Sequence, residues 1–244
     1  MNSSEPTTPP LRGRAREALS NDESILHAAH EVFSEYGWGA SMSEIAARAN
    51  TGVASIYRRY PSKTDLVNAI RVLSLERICE LAEKCAAEAR AAAPESAVEE
   101  FMRAHILSAA RPLVSAFGRY VETTPEVDAL AERLRAALET VIAVDRDLGL
   151  VPDHYGPADL MLMIAHLRPQ LAIDRERANE MHLRQLDYML TGLRAVAVEG
   201  RPVAGRPSSW REWLQLNSTD GGADGSEAAA GAEGTAGAEA AAGA

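Results

Sequence analysis

Four cations crowd a stretch that holds no acid. Arg48, Arg58, Arg59 and Lys63 fall within residues 46–63, in a chain whose formal net charge is −10. Cations at this density suit the neutralisation of phosphates on a polyanion. Interleaved with them are Ser55, which offers a neutral hydroxyl, and Val53 and Ala54, which offer small apolar surfaces. Tyr57 adds an amphipathic ring with a hydrogen-bonding tip. Such a mixture fits a surface that touches both the backbone and the base edges of a nucleic acid. Other candidate chemistry is sparse. His27 and His30 share one side of a helix with Glu31 behind them, but no second cluster has ligand spacing, so no metal and no cofactor is expected. Cys79 and Cys85 sit six residues apart on different faces of one helix and are read as packing residues of a reducing compartment. No paired nucleophile and base and no phosphate loop is present, which argues against an enzyme.

The elements that position these groups are helices. Aromatics are 5% of the 244 residues and hydrophobics 46%, so the core leans on Ala, Leu, Val, Ile and Met, and no period-two segment suggests a strand. The expected class is all-α. No apolar run approaches the roughly 18–20 residues needed to cross a bilayer, and the N-terminus lacks a signal-like apolar region; a cytoplasmic setting without membrane contact is expected. Residues 1–19, with three prolines and Arg12, Arg14 and Arg16, read as a disordered arm. Ser20-x-x-Glu23 reads as the capping box of a first helix, which ends at Gly37. A second box, Ser41-x-x-Glu44, opens a short helix, Asn50-Thr51-Gly52 makes a turn, and a third helix runs from about Val53 to Tyr60. Pro61 ends it, and Ser62 with Asp65 starts a long fourth helix to about Ala92. Further helices are expected at about 95–111, 112–122, 125–148, 157–172 and 174–197. Residues 201–244, acidic and rich in Ala and Gly toward the end, read as a disordered tail.

Two short helices joined by a tight turn and backed by a longer one form a helix-turn-helix, whose last helix enters a DNA major groove by its N-terminal end. The stretch from Ile25 to Leu66 resembles the DNA-binding domain of TetR/AcrR-type transcriptional regulators. The likeness rests on Ile45, Ala46 and Ala49, on Ile56-Tyr57-Arg58, on Tyr60, and on Pro61-Ser62-Lys63. It implies that Ser43, Val53, Ala54 and Ser55 face bases. It also implies that Ser41, Tyr57, Arg59 and Lys63, with Arg58, touch the DNA backbone, while Ile45, Ile56 and Tyr60 form core. The Asn50-Thr51-Gly52 turn departs from the family's usual Gly-Val-Ser, and Val53 replaces the usual polar residue, which favours apolar readout such as a thymine methyl. The Arg12, Arg14 and Arg16 arm suits an adjacent minor groove.

The resemblance divides the chain into a DNA-binding domain at 20–66 and a ligand-binding and dimerisation domain at 67–200. Pocket candidates in the second are Phe101, Met102, His105, Phe117, Tyr120, Met163, His166 and Arg168, a largely apolar set with a few polar anchors. Leu160, Met161, Ile164 and Leu167 form one apolar stripe, and Leu183, Leu186, Leu190 and Leu193 another, read as a four-helix dimer interface. The implied function is a ligand-responsive homodimeric repressor that binds a palindromic double-stranded operator and an unidentified small-molecule effector. An activator, or a ligand-independent DNA-binding protein of the same fold, is the alternative; an all-α enzyme is more remote.

Overall fold

The structure is a computed structural model that describes residues 11–92, 96–108, 121–167 and 173–217, with side chains from Asp22 onward except those of Arg90 and Ala92. Among these residues there are nine α-helices and no strand. They are α1 (Leu11–Tyr36), α2 (Met42–Arg48), α3 (Val53–Arg59), α4 (Lys63–Ala92), α5 (Ala97–Leu107), α6 (Pro125–Asp147), α7 (Pro157–Leu167), α8 (Arg175–Glu199) and α9 (Trp210–Leu216). No helix among them is long and apolar enough to cross a membrane.

Two apolar cores form, and α4 belongs to both. The first gathers Ile25, Val32 and Phe33 of α1, Met42 and Ile45 of α2, Ile56 of α3, and Leu66, Val67 and Ile70 of α4. The second begins at Leu75 and Ile78 of α4 and takes in α5, α6, α7 and α8. The apolar residues of α4 recur every three to four positions, so one helix face is buried along its length, first by the head and then by the body. Its most extensive neighbour is α6. The change of core falls between Ile70 and Leu75, slightly beyond the expected boundary at 66. Val121, far along the chain, also joins the head core. The buried Arg71 guanidinium holds it there, donating to the carbonyl oxygens of Val121 and Glu122 at 3.4 Å each.

Local signals set most helix ends. Gly37 terminates α1 at φ +63, a left-handed conformation that favours glycine. Thr124, Ser96 and Asp174 cap α6, α5 and α8 through side-chain oxygens. The buried Asp145 carboxylate of α6 adds to the α5 cap, accepting from the Ser96 hydroxyl and the Ala97 N–H at 2.6 Å each.

Two expectations are corrected at the ends of the chain. Helix α1 begins at Leu11, so Ser20 and Glu23 lie inside it and do not open it. Residues 11–19 are mostly Leu, Arg, Ala and Glu, strong helix formers that extend the helix toward the N-terminus. At the other end, residues 201–217 are not a loose tail. Ser209 and Glu212 form a capping box that opens α9, and α9 docks on α7. Trp213 is 6% exposed within the body core, and Trp210 stacks on it with ring centroids 4.3 Å apart.

The cysteines do pack as read. Cys79 and Cys85 are free and buried, and burial raises both thiols to about 11, so neither is a ready thiolate.

Candidate nucleic-acid interface

The helix-turn-helix is built by short-range chemistry. Ser41 accepts from the Glu44 N–H at 3.2 Å, and the Glu44 carboxylate accepts from the Ser41 N–H at 2.7 Å, so both ends of the box are closed. These bonds hold the Glu44 carboxyl below its ordinary range. Asn50 takes φ +50 in the turn, the left-handed position its side chain tolerates. Gly52 is extended, at φ −78, and caps α3 without a side-chain bond. Ser62 and Asp65 reproduce the capping pattern before α4, with the Ser62 N–H donating to Asp65 at 2.9 Å.

The platform leaves one surface outward. Ser43, Ala54, Tyr57 and Arg58 are exposed, Val53 and Ser55 are half-buried, and Ile45 and Ile56 are fully buried beneath them. Tyr57 is 48% exposed, with its ring off the core. Tyr60 is half-buried against the head core. The side chains of Arg12, Arg14 and Arg16 lie outside the described ones.

The cations do not all share the outward surface. Arg58 is exposed, with the Ser55 hydroxyl as a neighbour at 3.3 Å. Arg59 pairs with Asp22 of α1 at 2.7 Å. Arg48 pairs with Glu35 at 2.8 Å and Glu31 at 3.3 Å. Lys63 turns inward. Its ammonium donates to the carbonyl oxygens of Trp38 and Ala40, the latter at 2.6 Å, and lies 4.8 Å from the centre of the Trp38 ring. Burial pulls this ammonium below the ordinary lysine range. The carbonyls it reaches belong to the single turn of 3-10 helix, Gly37–Gly39, and to the residue after it, just before the Ser41 cap. Its place in the Pro61-Ser62-Lys63 motif at the start of α4 implied a phosphate contact at Lys63; no spacing rule announces a ring and two carbonyls brought within reach from 23–25 residues away.

In the body, five of the expected pocket residues are described. Phe101 and Met102 are fully buried in the core, and the buried His105 stacks on Phe101 at 6.1 Å. His166 is exposed, its ring nitrogen 2.7 Å from the Leu162 carbonyl oxygen. Phe117, Tyr120 and Arg168 lie outside the described residues. Among the described members of the set, Met163 lines a cavity of about 450 Å3 between α7, α8 and the 203–208 strap. Tyr155 and the strap residues were missed because they follow no helical period.

The expected dimer stripes also divide. Leu160, Ile164, Leu167, Leu186 and Leu190 are buried in the chain's own core, so a partner cannot cover them. An apolar stripe at helical spacing shows that a face is buried, and here the body itself buries it. Met161, Leu183 and Leu193 are partly exposed at its margin. Among the described residues, no group of three or more His, Cys, Asp or Glu could hold a metal ion.

Comparison with known proteins agrees with this arrangement. The family described as bacterial regulatory proteins, tetR family, matches residues 25–70. A TetR transcription regulatory protein from Mycobacterium vanbaalenii is 27% identical, with a TM-score of 0.51 over 75% of this chain and 99% of that one. The TetR transcriptional regulator SCO0520 from Streptomyces coelicolor is 22% identical over 77% of this chain and 99% of its own, with a TM-score of 0.48. PfmR, a TetR family transcriptional regulator from Thermus thermophilus, is 25% identical over 69% and 98%, with a TM-score of 0.49. No curated protein matches the chain. Residues 25–70 thus match the tetR family of bacterial regulatory proteins, and the helical fold of the described residues is similar to that of the Mycobacterium vanbaalenii TetR regulatory protein.

Proposed function

We propose that this chain is a homodimeric, sequence-specific repressor whose hold on its operator is set by a small molecule bound in the body. The observation that carries the reading is the exposed surface of α2 and α3, where Ser43, Ala54, Tyr57 and Arg58 stand over a packed core. On this reading Ser43, Val53, Ala54 and Ser55 read base edges, and Ser41, Tyr57, Arg58 and Arg59 hold the backbone. To hold a phosphate Arg59 gives up its half-buried pair with Asp22 of α1. Lys63 stays where it is and positions the turn before α2.

One α3 spans too few base pairs for specificity, so two heads read the half-sites of a palindrome. The exposed face of α8, with Met181 and Tyr188, together with Met161 of α7, supplies the dimer surface in place of the buried leucines. Because α4 is shared by both cores, a ligand that favours one setting of the body also favours one spacing of the heads. It shifts the balance only by its differential affinity for the two settings.

The test is a selection from genomic fragments with purified protein at moderate salt. One palindromic motif supports the reading, and enrichment without a motif contradicts it.

A further inference from the structure

The cavity between α7, α8 and the strap contains a polar group that the fold barely uses. Tyr155 is 8% exposed, and among the described residues its hydroxyl donates to the Met163 sulfur alone, at 3.9 Å. A thioether is a weak acceptor, and a buried hydroxyl without a good partner is costly. Burial raises the phenol pKa, so it stays a neutral donor. Met163, Met189, Leu193 and Val196 supply apolar wall, and His154, Asp159, Arg206 and Ser208 lie among the other lining residues, His154 exposed.

The charged groups at the rim are already engaged. Asp159 accepts from the backbone N–H groups of Gly156 and Ser208, each at 3.2 Å, which clips the strap to the start of α7. Arg206 is paired with Glu212 of α9. The site therefore offers one weakly bonded donor, the Tyr155 hydroxyl, while Asp159 and Arg206 are engaged and the exposed His154 lies at its edge. Its volume of about 450 Å3 lies within the usual range for small-molecule sites. Gly192 leaves the α8 side open, since a Cβ there would meet nothing within 4 Å.

We propose that this cavity binds a small, neutral, largely apolar molecule that presents a carbonyl oxygen to the Tyr155 hydroxyl. The site rests on the repressor reading for any effect on DNA, but not for binding itself. The ligand would touch α7, α8 and the strap at once, and so the segment that carries α9 back onto the body.

The test uses a matched pair of probes, 2-acetylnaphthalene and 2-ethylnaphthalene, titrated into the full chain by calorimetry without DNA. The ketone is expected to bind about tenfold more tightly than the hydrocarbon, the gain of one buried hydrogen bond. Tyr155→Phe should erase that preference and leave hydrocarbon binding unchanged. Gly192→Leu, which fills the cavity from an open position, should weaken both probes at least about tenfold. Met163→Trp gives a second filled cavity should Gly192→Leu alter folding. Equal affinity for the two probes in the parent chain would overturn the proposal. So would binding that survives both filled cavities, which marks an adventitious additive only, or binding lost as protein concentration rises, which marks a site covered by a second copy. A chain that binds the ketone but selects no DNA motif would refute the repressor reading and leave this site standing.

Discussion

The head packs mainly Ile, Val and Ala and the body adds many Leu, and the two also use charge differently. In the body, arginines join helices that lie far apart in sequence. Arg133 of α6 holds Glu83 of α4 with two bonds of 2.6 Å, and Glu99 of α5 is shared by Arg103 and by Arg194 of α8. In the head, cations are drawn back against α1 and the turn that follows it, and Arg58 is left outward. The body's ion pairs staple a frame. The head's contacts hold α1, α2 and α3 in place around their common core.

The largest effect expected comes from cutting the body's last staple. Trp213→Ala should cost about 3–5 kcal/mol, as for other buried aromatics. The contrast sharpens if thermal melting shifts down steeply while the α3 surface keeps its operator affinity at low temperature. Equal losses in both would show that head and body do not stand apart.

Lys63 gives the next test. If it positions the turn before α2, Lys63→Met should lower stability by about 2 kcal/mol through lost charge-assisted hydrogen bonds. The salt dependence of operator binding should stay unchanged. Arg58→Ala should do the reverse, leaving stability nearly untouched and reducing the slope of log affinity on log salt by about 0.9 per head. A reduced slope for Lys63→Met with an unchanged melting point would return Lys63 to the phosphate backbone.

The smallest effect lies at the α2 cap. Ser41→Ala should cost about 1 kcal/mol of head stability, read as faster amide exchange at residues 42–48 with the body unaffected.

The head was legible because its information is local. Ser41 with Glu44, Asn50 in the turn, and Ser62 with Asp65 each act over three or four residues, and Ile45 and Ile56 fall on an unmistakable inner face. What escaped was set at a distance. Lys63 meets carbonyls 23–25 residues away, and Val121 enters the head from the body. The leucines of α7 and α8 announced burial without naming the surface that buries them. The α9 helix carried a readable signal, Ser209 with Glu212 beside two tryptophans, but a composition that thins toward Ala and Gly hid it.

The central claim is that α3 reads bases at two symmetric half-sites. The most direct measurement is to repeat the DNA selection with Ala54→Lys, an exposed substitution on α3 that leaves the head core intact. The selected motif should change at one base position in each half-site, related by the two-fold axis, with the remaining positions kept. A motif unchanged by this substitution, with affinity retained, would contradict the claim and move base recognition away from α3.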